Sequence, residues 1–376
     1  MLPGHVDALP RRRARTGRAS GVLVCALLLA GALAAGIGSR AHAAAVLWVT
    51  PTAQGAATLQ GDGEVRLYAA DGAVTVVGRS VRGDSLQWCG GRILGVDGDG
   101  RLRAFGAAPP DVGPAVSPHS RPACLSGGRV VALSSDARTV LLLSHDLKTI
   151  ASHTLDALPD GDPIPLGNGV AVLSHPTQRY RHGVLGDEIE AAAVTLLRQD
   201  DLSPIATLTL AAPAVIEQRR VQPFAAAGAY GMLITRSTPD EGAGVEAIAL
   251  QGDALVPVAS APPIGAGDRW LNLFAATGDH AYAVRTPHLG GPLERLRKAG
   301  THLLASRFAL DVTNHTLGSR NLDLGLLLPP PAGATVDVLA LPTLDLRSVR
   351  LVACDGAGCT PVAVLELDTP LSSNLA

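Results

Sequence analysis

The sequence predicts an all-β chain built from a repeated unit of four antiparallel strands. Three observations carry this. Short apolar runs alternate with Gly, Asp, Asn and Pro clusters at intervals of roughly 8–12 residues. Glycines recur at the turn after the first strand of a unit, at Gly55, Gly91, Gly128, Gly169, Gly228 and Gly278. Helical periodicity is nearly missing, the longest candidate being Pro292–Lys298, PLERLRK. Composition agrees. The 42 Gly and 27 Pro interrupt long helices, and 47% hydrophobic residues exclude a disordered chain. With 3 Trp, 4 Tyr and 4 Phe in 376 residues, the core must be made of Val, Leu, Ala and Ile.

With the strands of a unit called A to D, the first unit reads Ala45–Pro51, Ala57–Leu59, Glu64–Ala69 and Ala73–Val77. The second is Ser85–Cys89, Arg92–Val96, Arg101–Phe105 and a Pro-rich outer segment. The third is Pro122–Leu125, Arg129–Leu133, Thr139–Ser144 and Thr149–Leu155. The fourth is Ile164–Leu166, Val170–Ser174, Ala191–Leu197 and Pro204–Leu210. The fifth is Val221–Phe224, Tyr230–Thr235, Val245–Leu250 and Ala254–Ala259. The sixth is Trp270–Phe274, Ala281–Arg285, His302–Leu310 and Thr316–Leu322. The seventh is Val336–Leu341, Ser348–Cys354 and Pro361–Leu367, with no clear fourth strand; Ala45–Val49 offers one way to complete it. The first glycine spacings, 36, 37 and 41 residues, suit a propeller blade. A blade has two apolar faces and cannot bury both alone, whereas radial stacking buries them and protects the edges. The prediction is a seven-bladed β-propeller of four-stranded antiparallel blades, with six or eight blades, or a pair of sandwiches, as alternatives.

In this layout the chain resembles secreted propellers of the outer-membrane-assembly and quinoprotein-like type. It has no WD dipeptide and no regular Trp motif closing each blade, so no family's site residues are carried over.

The N-terminus reads as an address. Residues 8–20 hold five arginines, residues 21–38 are uncharged, and Ala41-His42-Ala43 ends a small-residue cleavage site. This is the pattern of a signal peptide over residues 1–43, leaving 44–376 as one domain and implying a periplasmic or secreted protein. The leader takes six arginines and one aspartate from totals of 31 basic and 33 acidic residues, so the remainder carries 25 basic against 32 acidic groups. That balance argues against nucleic acid and anionic membranes as partners. Cys89, Cys124, Cys354 and Cys359 remain. Export favours disulfides, and a Gly-rich turn sets Cys354 and Cys359 within reach of each other. Cys89 and Cys124 are left to pair or to stay as buried thiols.

No motif carries chemistry. Asp97-Gly-Asp-Gly100 has no third carboxylate following it and reads as a tight turn rather than a calcium loop. The histidines show no metal-ligand spacing, and there is no nucleophile elbow or phosphate loop. No metal or cofactor is expected. The B–C turns are the informative feature. They are tight in the first three units, at Gly61–Gly63, Asp97–Gly100 and Ser135–Arg138, and long in the next three, at His175–Glu190, Ser237–Gly244 and Thr286–Thr301. Equivalent turns leave the disc on one face, so these three should form a binding ridge. Its candidate residues are Arg179, Tyr180, Arg181, His182, Glu188, His288, Glu294, Arg295, Arg297 and Lys298. The expected function is a protein- or ligand-binding scaffold, the expected partner being another exported or envelope protein. The alternative is a hydrolase or lyase with its site at the mouth of the central channel.

Overall fold

The computed structural model describes residues 45–80, 86–106, 111–329 and 335–375. The leader expected over residues 1–43 lies outside them, as do Ser85 and residues 107–110 of the second unit. Strands follow one another as antiparallel meanders. The first holds β1 (Val46–Thr52), β2 (Gly55–Gln60), β3 (Glu64–Ala69) and β4 (Val74–Arg79). The second holds β5 (Gln87–Cys89), β6 (Arg92–Val96), β7 (Arg101–Phe105) and β8 (Val112–Ala115). The third holds β9 (Ala123–Cys124), β10 (Val130–Leu133), β11 (Thr139–Leu143) and β12 (Thr149–Thr154). Next come β13 (Ile164–Leu166), β14 (Gly169–Thr177), β15 (Glu190–Arg198) and β16 (Pro204–Thr209). The two-residue β17 (Val215–Ile216) bridges that meander to the following one. The latter holds β18 (Gln222–Pro223), β19 (Met232–Thr238), β20 (Gly242–Gln251) and β21 (Ala254–Ser260). Then follow β22 (Leu271–Thr277), β23 (His280–Arg285), β24 (Leu293–Ala299) and β25 (His302–Phe308). The last meander holds β26 (Leu326–Leu328), β27 (Asp337–Pro342), β28 (Ser348–Cys354) and β29 (Cys359–Glu366).

The first strand of each meander touches the first strand of the next, from β1 to β5, β9, β13, β18, β22 and β26. The core is divided accordingly. Each buried cluster joins two consecutive meanders, as where Trp48, Leu59 and Val65 meet Ile93 and Phe105. Alternating side chains put one apolar face of a sheet against its neighbour's. Among the described residues no such cluster joins the last meander to the first. There the tail returns instead: the amide of Asn374 brackets Val49, accepting from its N–H at 2.7 Å and donating to its carbonyl at 2.8 Å.

Most of the glycines expected at the A–B turns sit there, whereas Gly55 and Gly169 open strands β2 and β14. Gly91, Gly128, Gly228 and Gly278 take φ values of 81°, 70°, 96° and 54°, the left-handed region that favours glycine. The Asp97 carboxylate accepts from the backbone N–H of Asp99 and Arg101, both at 2.9 Å, as a tight turn requires. Both disulfides are present: Cys89–Cys124 ties β5 to β9, and Cys354–Cys359 closes the turn between β28 and β29.

Several assignments in the second half are corrected. Pro292–Lys298 is not a helix; Leu293–Ala299 is strand β24, hydrogen-bonded on both sides to β23 and β25. A backbone ladder on each edge outweighs a weak helical preference. His302–Phe308 is therefore the outer strand of its meander rather than the third, and Thr316–Leu322 is part of a connector. The last meander also slips by one strand: its inner strand is the three-residue β26, just before a proline run, so Cys359–Glu366 becomes the fourth. The N-terminus does not complete that sheet, because β1 pairs with β2 in the first one. The expected long turn Ser237–Gly244 is a tight hairpin in which Thr238 pairs with Gly242.

Candidate functional site

In these meanders the B–C turns and the connectors from one outer strand to the next inner strand emerge on one face. The connectors meet near the axis, and a chain segment buried there must still pair its backbone groups. Arg219 does much of this. Its side chain is buried, and its guanidinium donates to the carbonyls of Asp160 at 2.9 Å, His119 and Arg320, from three other connectors. Few side chains can span so many acceptors; five donors in a rigid fork make arginine suited to it. Around it, the Arg121 backbone N–H donates to Asp162 at 2.7 Å, and Asp162 also lies 3.6 Å from Arg220. The Asp323 carboxylate bridges Arg121 and Arg220. Burial opposes ionisation of Asp323, but the two guanidiniums outweigh it and hold its pKa below the ordinary aspartate value. Asp160 shows the reverse balance: burial pushes it up to about 6 despite Arg219.

Residues 178–189, joining β14 to β15, fold over this mouth. Val184 and Leu185 are buried in one cluster with Phe224, Leu233, Trp270 and Leu322. The Val184 carbonyl accepts from the Gly318 N–H at 3.0 Å. Gly186, at φ 94°, passes so close that a Cβ would sit 2.8 Å from the Gly318 carbonyl oxygen. Asp187 meets Arg320 at 2.7 Å. His182 Nδ1 lies 2.6 Å from Glu217 Oε1, while Ser237 donates to the other Glu217 oxygen and the Trp270 indole N–H to the Glu217 carbonyl at 2.9 Å. Burial lowers the His182 pKa but its bond to Glu217 more than restores it, for a net upward shift; burial also raises Glu217. Glu190, the first residue of β15, is buried, and neither carboxylate oxygen has a hydrogen-bond partner among the described residues. Burial, then Glu217, Asp160 and Asp187, push its pKa well above the ordinary value.

The ten residues expected on the ridge are distributed differently. Arg179 is turned inward to the carbonyls of Leu210, at 2.9 Å, and Ala214. Tyr180 is buried and packs beside His182 with the rings tilted by 33° and their centroids 5.5 Å apart. Arg181 and Glu188 remain exposed. His288 is half-buried in a short turn beside Leu289. Glu294 is buried between Arg285, at 3.0 Å, and Arg307, at 2.7 Å, and Arg295 reaches the Asp355 carbonyl of the next meander. Arg297 and Lys298 do not belong to this face. They occupy the far end of β24, where the Lys298 N–H donates to the Asp279 carbonyl in the A–B turn. Sequence reasoning missed the connector residues Arg121, Asp160, Asp162, Arg219, Arg220, Arg320 and Asp323. Their one visible signal is that charged residues cluster in segments between an outer and an inner strand, which radial packing must bring together.

Beside the mouth, at the seam between the last and first meanders, lies an open cleft of about 450 Å³. Its walls include Leu47, Trp48, Thr316, Leu324, Leu346 and Leu371. Arg121 stacks on the Trp48 ring at 4.7 Å. Leu289 and Leu317 are each 62% exposed, and Leu47 and Leu344 are also exposed. A Cβ on Gly290 would lie 3.3 Å from the Leu344 side chain, so the turn that carries Leu289 runs beside Leu344. Among the described residues, no group of three or more His, Cys, Asp or Glu side chains is placed to hold a metal, and no helix is long and apolar enough to cross a membrane.

No family model and no curated protein sequence matches the chain. Solved structures do. BamB from Moraxella catarrhalis superposes with a TM-score of 0.50 at 13% identity, covering 87% of this chain and 89% of that one. The C-terminal WD40 domain of Sif2 superposes at 0.56 with 10% identity, covering 88% and 90%. The dihydro-heme d1 dehydrogenase NirN matches at 0.50 with 13% identity, covering 89% and 68%. The fold is a β-propeller. At these identities the likeness concerns the fold alone, and the propeller's own surface has to carry any functional argument.

Proposed function

We propose that the chain is an exported, seven-bladed β-propeller scaffold that holds another exported or envelope protein on its connector face. One observation carries this reading: Leu47, Leu289, Leu317 and Leu344 are exposed on the face where the seam cleft opens. Clustered apolar surface with a polar border marks protein contact sites, and Ser319, Asn321 and Ser372 supply such a border. The occupant that fits is a partner segment inserting an apolar side chain into the cleft. Exposed Arg181 and Glu188 stand on the same face and would meet the partner's rim. The leader pattern, and a pair of disulfides that oxidising compartments permit, support export. The enzyme alternative has less support: Asp162, Asp187 and Asp323 at the mouth are paired with arginines, and Glu190 and Glu217 are buried.

Photo-crosslinking in intact cells tests the reading. A crosslinker at position 317 or 344 should trap a discrete partner, one at Arg297 should not, and Leu344→Asp should abolish the adduct without loss of folded protein. Equal adducts from both faces would defeat it. N-terminal sequencing of the exported chain should begin at Ala44.

A further inference from the structure

We propose that loop 178–189 is a proton-operated latch on the channel mouth, seated while Glu190 carries its proton and released when Glu190 ionises. The geometry comes first. The loop is anchored at its tip by Val184 and Leu185, along its length by the His182–Glu217 and Asp187–Arg320 contacts, and at its base by Glu190. Every anchor but the last has a partner. Both Glu190 oxygens are buried without one. A neutral carboxyl tolerates this at a modest cost, but a buried carboxylate with no donor does not.

The groups around Glu190 reinforce the bias. Its own loop brings Tyr180 and Asp187, and His182 through its bond to Glu217. The connector before β18 brings Glu217 and Arg219, that before β13 brings Asp160 and Asp162, and that before β26 brings Arg320. Asp268 and Arg269 precede β22, and His288 faces His182 from the turn before β24. The two cations nearest Asp160, Arg219 and Arg320, are already engaged with Asp160, Asp162, Asp187 and backbone carbonyls. The charges that act on Glu190 are the carboxylates of Glu217, Asp160 and Asp187. Ionised Glu190 would therefore gain hydration if the adjoining loop, whose Tyr180 and Asp187 interact with it, were to lift.

The sign follows from which form the seated loop prefers. Glu190 has a seated-state pKa above its ordinary 4.5, so its contribution is complete below that value and is lost as pH rises through the seated value. His182 is raised above 6.5 by Glu217, so its contribution is likewise present at acid pH and lost on the alkaline side. Both favour a closed mouth in acid and an open one as pH rises. Opening uncovers Val184, Leu185 and the facing Trp270, Phe224 and Leu322, an apolar surface on the same side as the seam cleft. This inference does not depend on what that cleft binds.

Amide hydrogen exchange on the exported protein tests it, with labelling times scaled for the intrinsic pH dependence of exchange. Between about pH 5 and pH 9, protection of residues 178–189 should fall by about tenfold or more, one pKa unit of differential proton binding being worth that factor. Protection of β10 and β11 should stay constant. Glu190→Gln and Glu190→Leu should each shrink the pH-dependent fall in protection to the smaller part that His182 supplies. Two results would overturn the proposal: wild-type protection that does not change with pH, or a pH dependence that is undiminished in both Glu190 variants. If only Glu190→Gln fails to fold, Glu190→Leu decides alone.

Discussion

A single guanidinium, that of Arg219, ties itself to connectors about a hundred residues away on either side in sequence, at His119 and Arg320. Asp323 does the same for Arg121 and Arg220. Such buried pairs give little net stability over a well-packed apolar alternative, but removing one partner strands the other charge. We therefore expect Asp323→Ala to lower stability by about 3–5 kcal/mol, read from urea unfolding near neutral pH. Because the Asp323 pKa is lowered in the fold, its contribution is present above the ordinary 3.8 and is lost as pH falls through the folded value. The wild-type unfolding midpoint should thus decline in strong acid, and Asp323→Ala should show a shallower decline over that window. None of these partners was legible in the sequence. An arginine in a connector gives no sign of which distant carbonyl it will meet.

Among the elements, loop 178–189 shows how a correctly located insertion can be misjudged. The hairpin between β14 and β15 is long, as its sequence indicates, but its tip is apolar and turns inward. Shortening it would remove core residues rather than a solvated ridge. Leu185→Ala should cost about 2–5 kcal/mol by urea denaturation, the range for deleting a buried leucine side chain. An exposed loop leucine would change stability by less than about 0.5 kcal/mol. The Val184-Leu185 pair was visible as apolar residues in an otherwise polar stretch. What the pair packs on, Trp270 and Leu322, was not. Strand β24 makes the complementary point. Leu293 and Leu296 are spaced like a helical stripe, yet Glu294 is buried between Arg285 and Arg307. Only pairing on both edges decides between the two periods.

For the molecule as a whole, the seam is the place where stacking gives way to a clasp. Asn374 supplies two hydrogen bonds to Val49, and Ser372 donates to the Val46 carbonyl at 3.0 Å. Asn374→Ala should lower stability by about 1–3 kcal/mol, on the usual contribution per hydrogen bond. It should also raise amide exchange in β1 before it does so in β10, a pattern that locates the loss at the seam. The Cys89–Cys124 bridge acts on the other side of β1's neighbour, tying consecutive inner strands across a separation of 35 residues. Replacing both cysteines by serine should cost about 2–4 kcal/mol, measured by thermal unfolding under non-reducing conditions. If that variant matches the wild type, the interface between those meanders is held by its apolar cluster alone.

The sequence by itself determined the all-β class, the four-strand rhythm, and the strand positions of the early meanders, because these depend on residues within one hairpin. Alternation, turn glycines such as Gly91 and Gly128, and the Asp97 turn are local facts with local causes. It also placed the cysteines close enough to bridge across a turn. Tertiary structure decided the frame of the last two meanders, where a buried Glu294 and a three-residue inner strand, β26, give no local sign of their role. It also decided that the face has a neutralised mouth, a seated loop and an apolar seam. Those features arise where connectors from distant points of the chain converge. Convergence is a property of radial packing, and neither spacing nor composition along the chain encodes which charges will then neutralise one another.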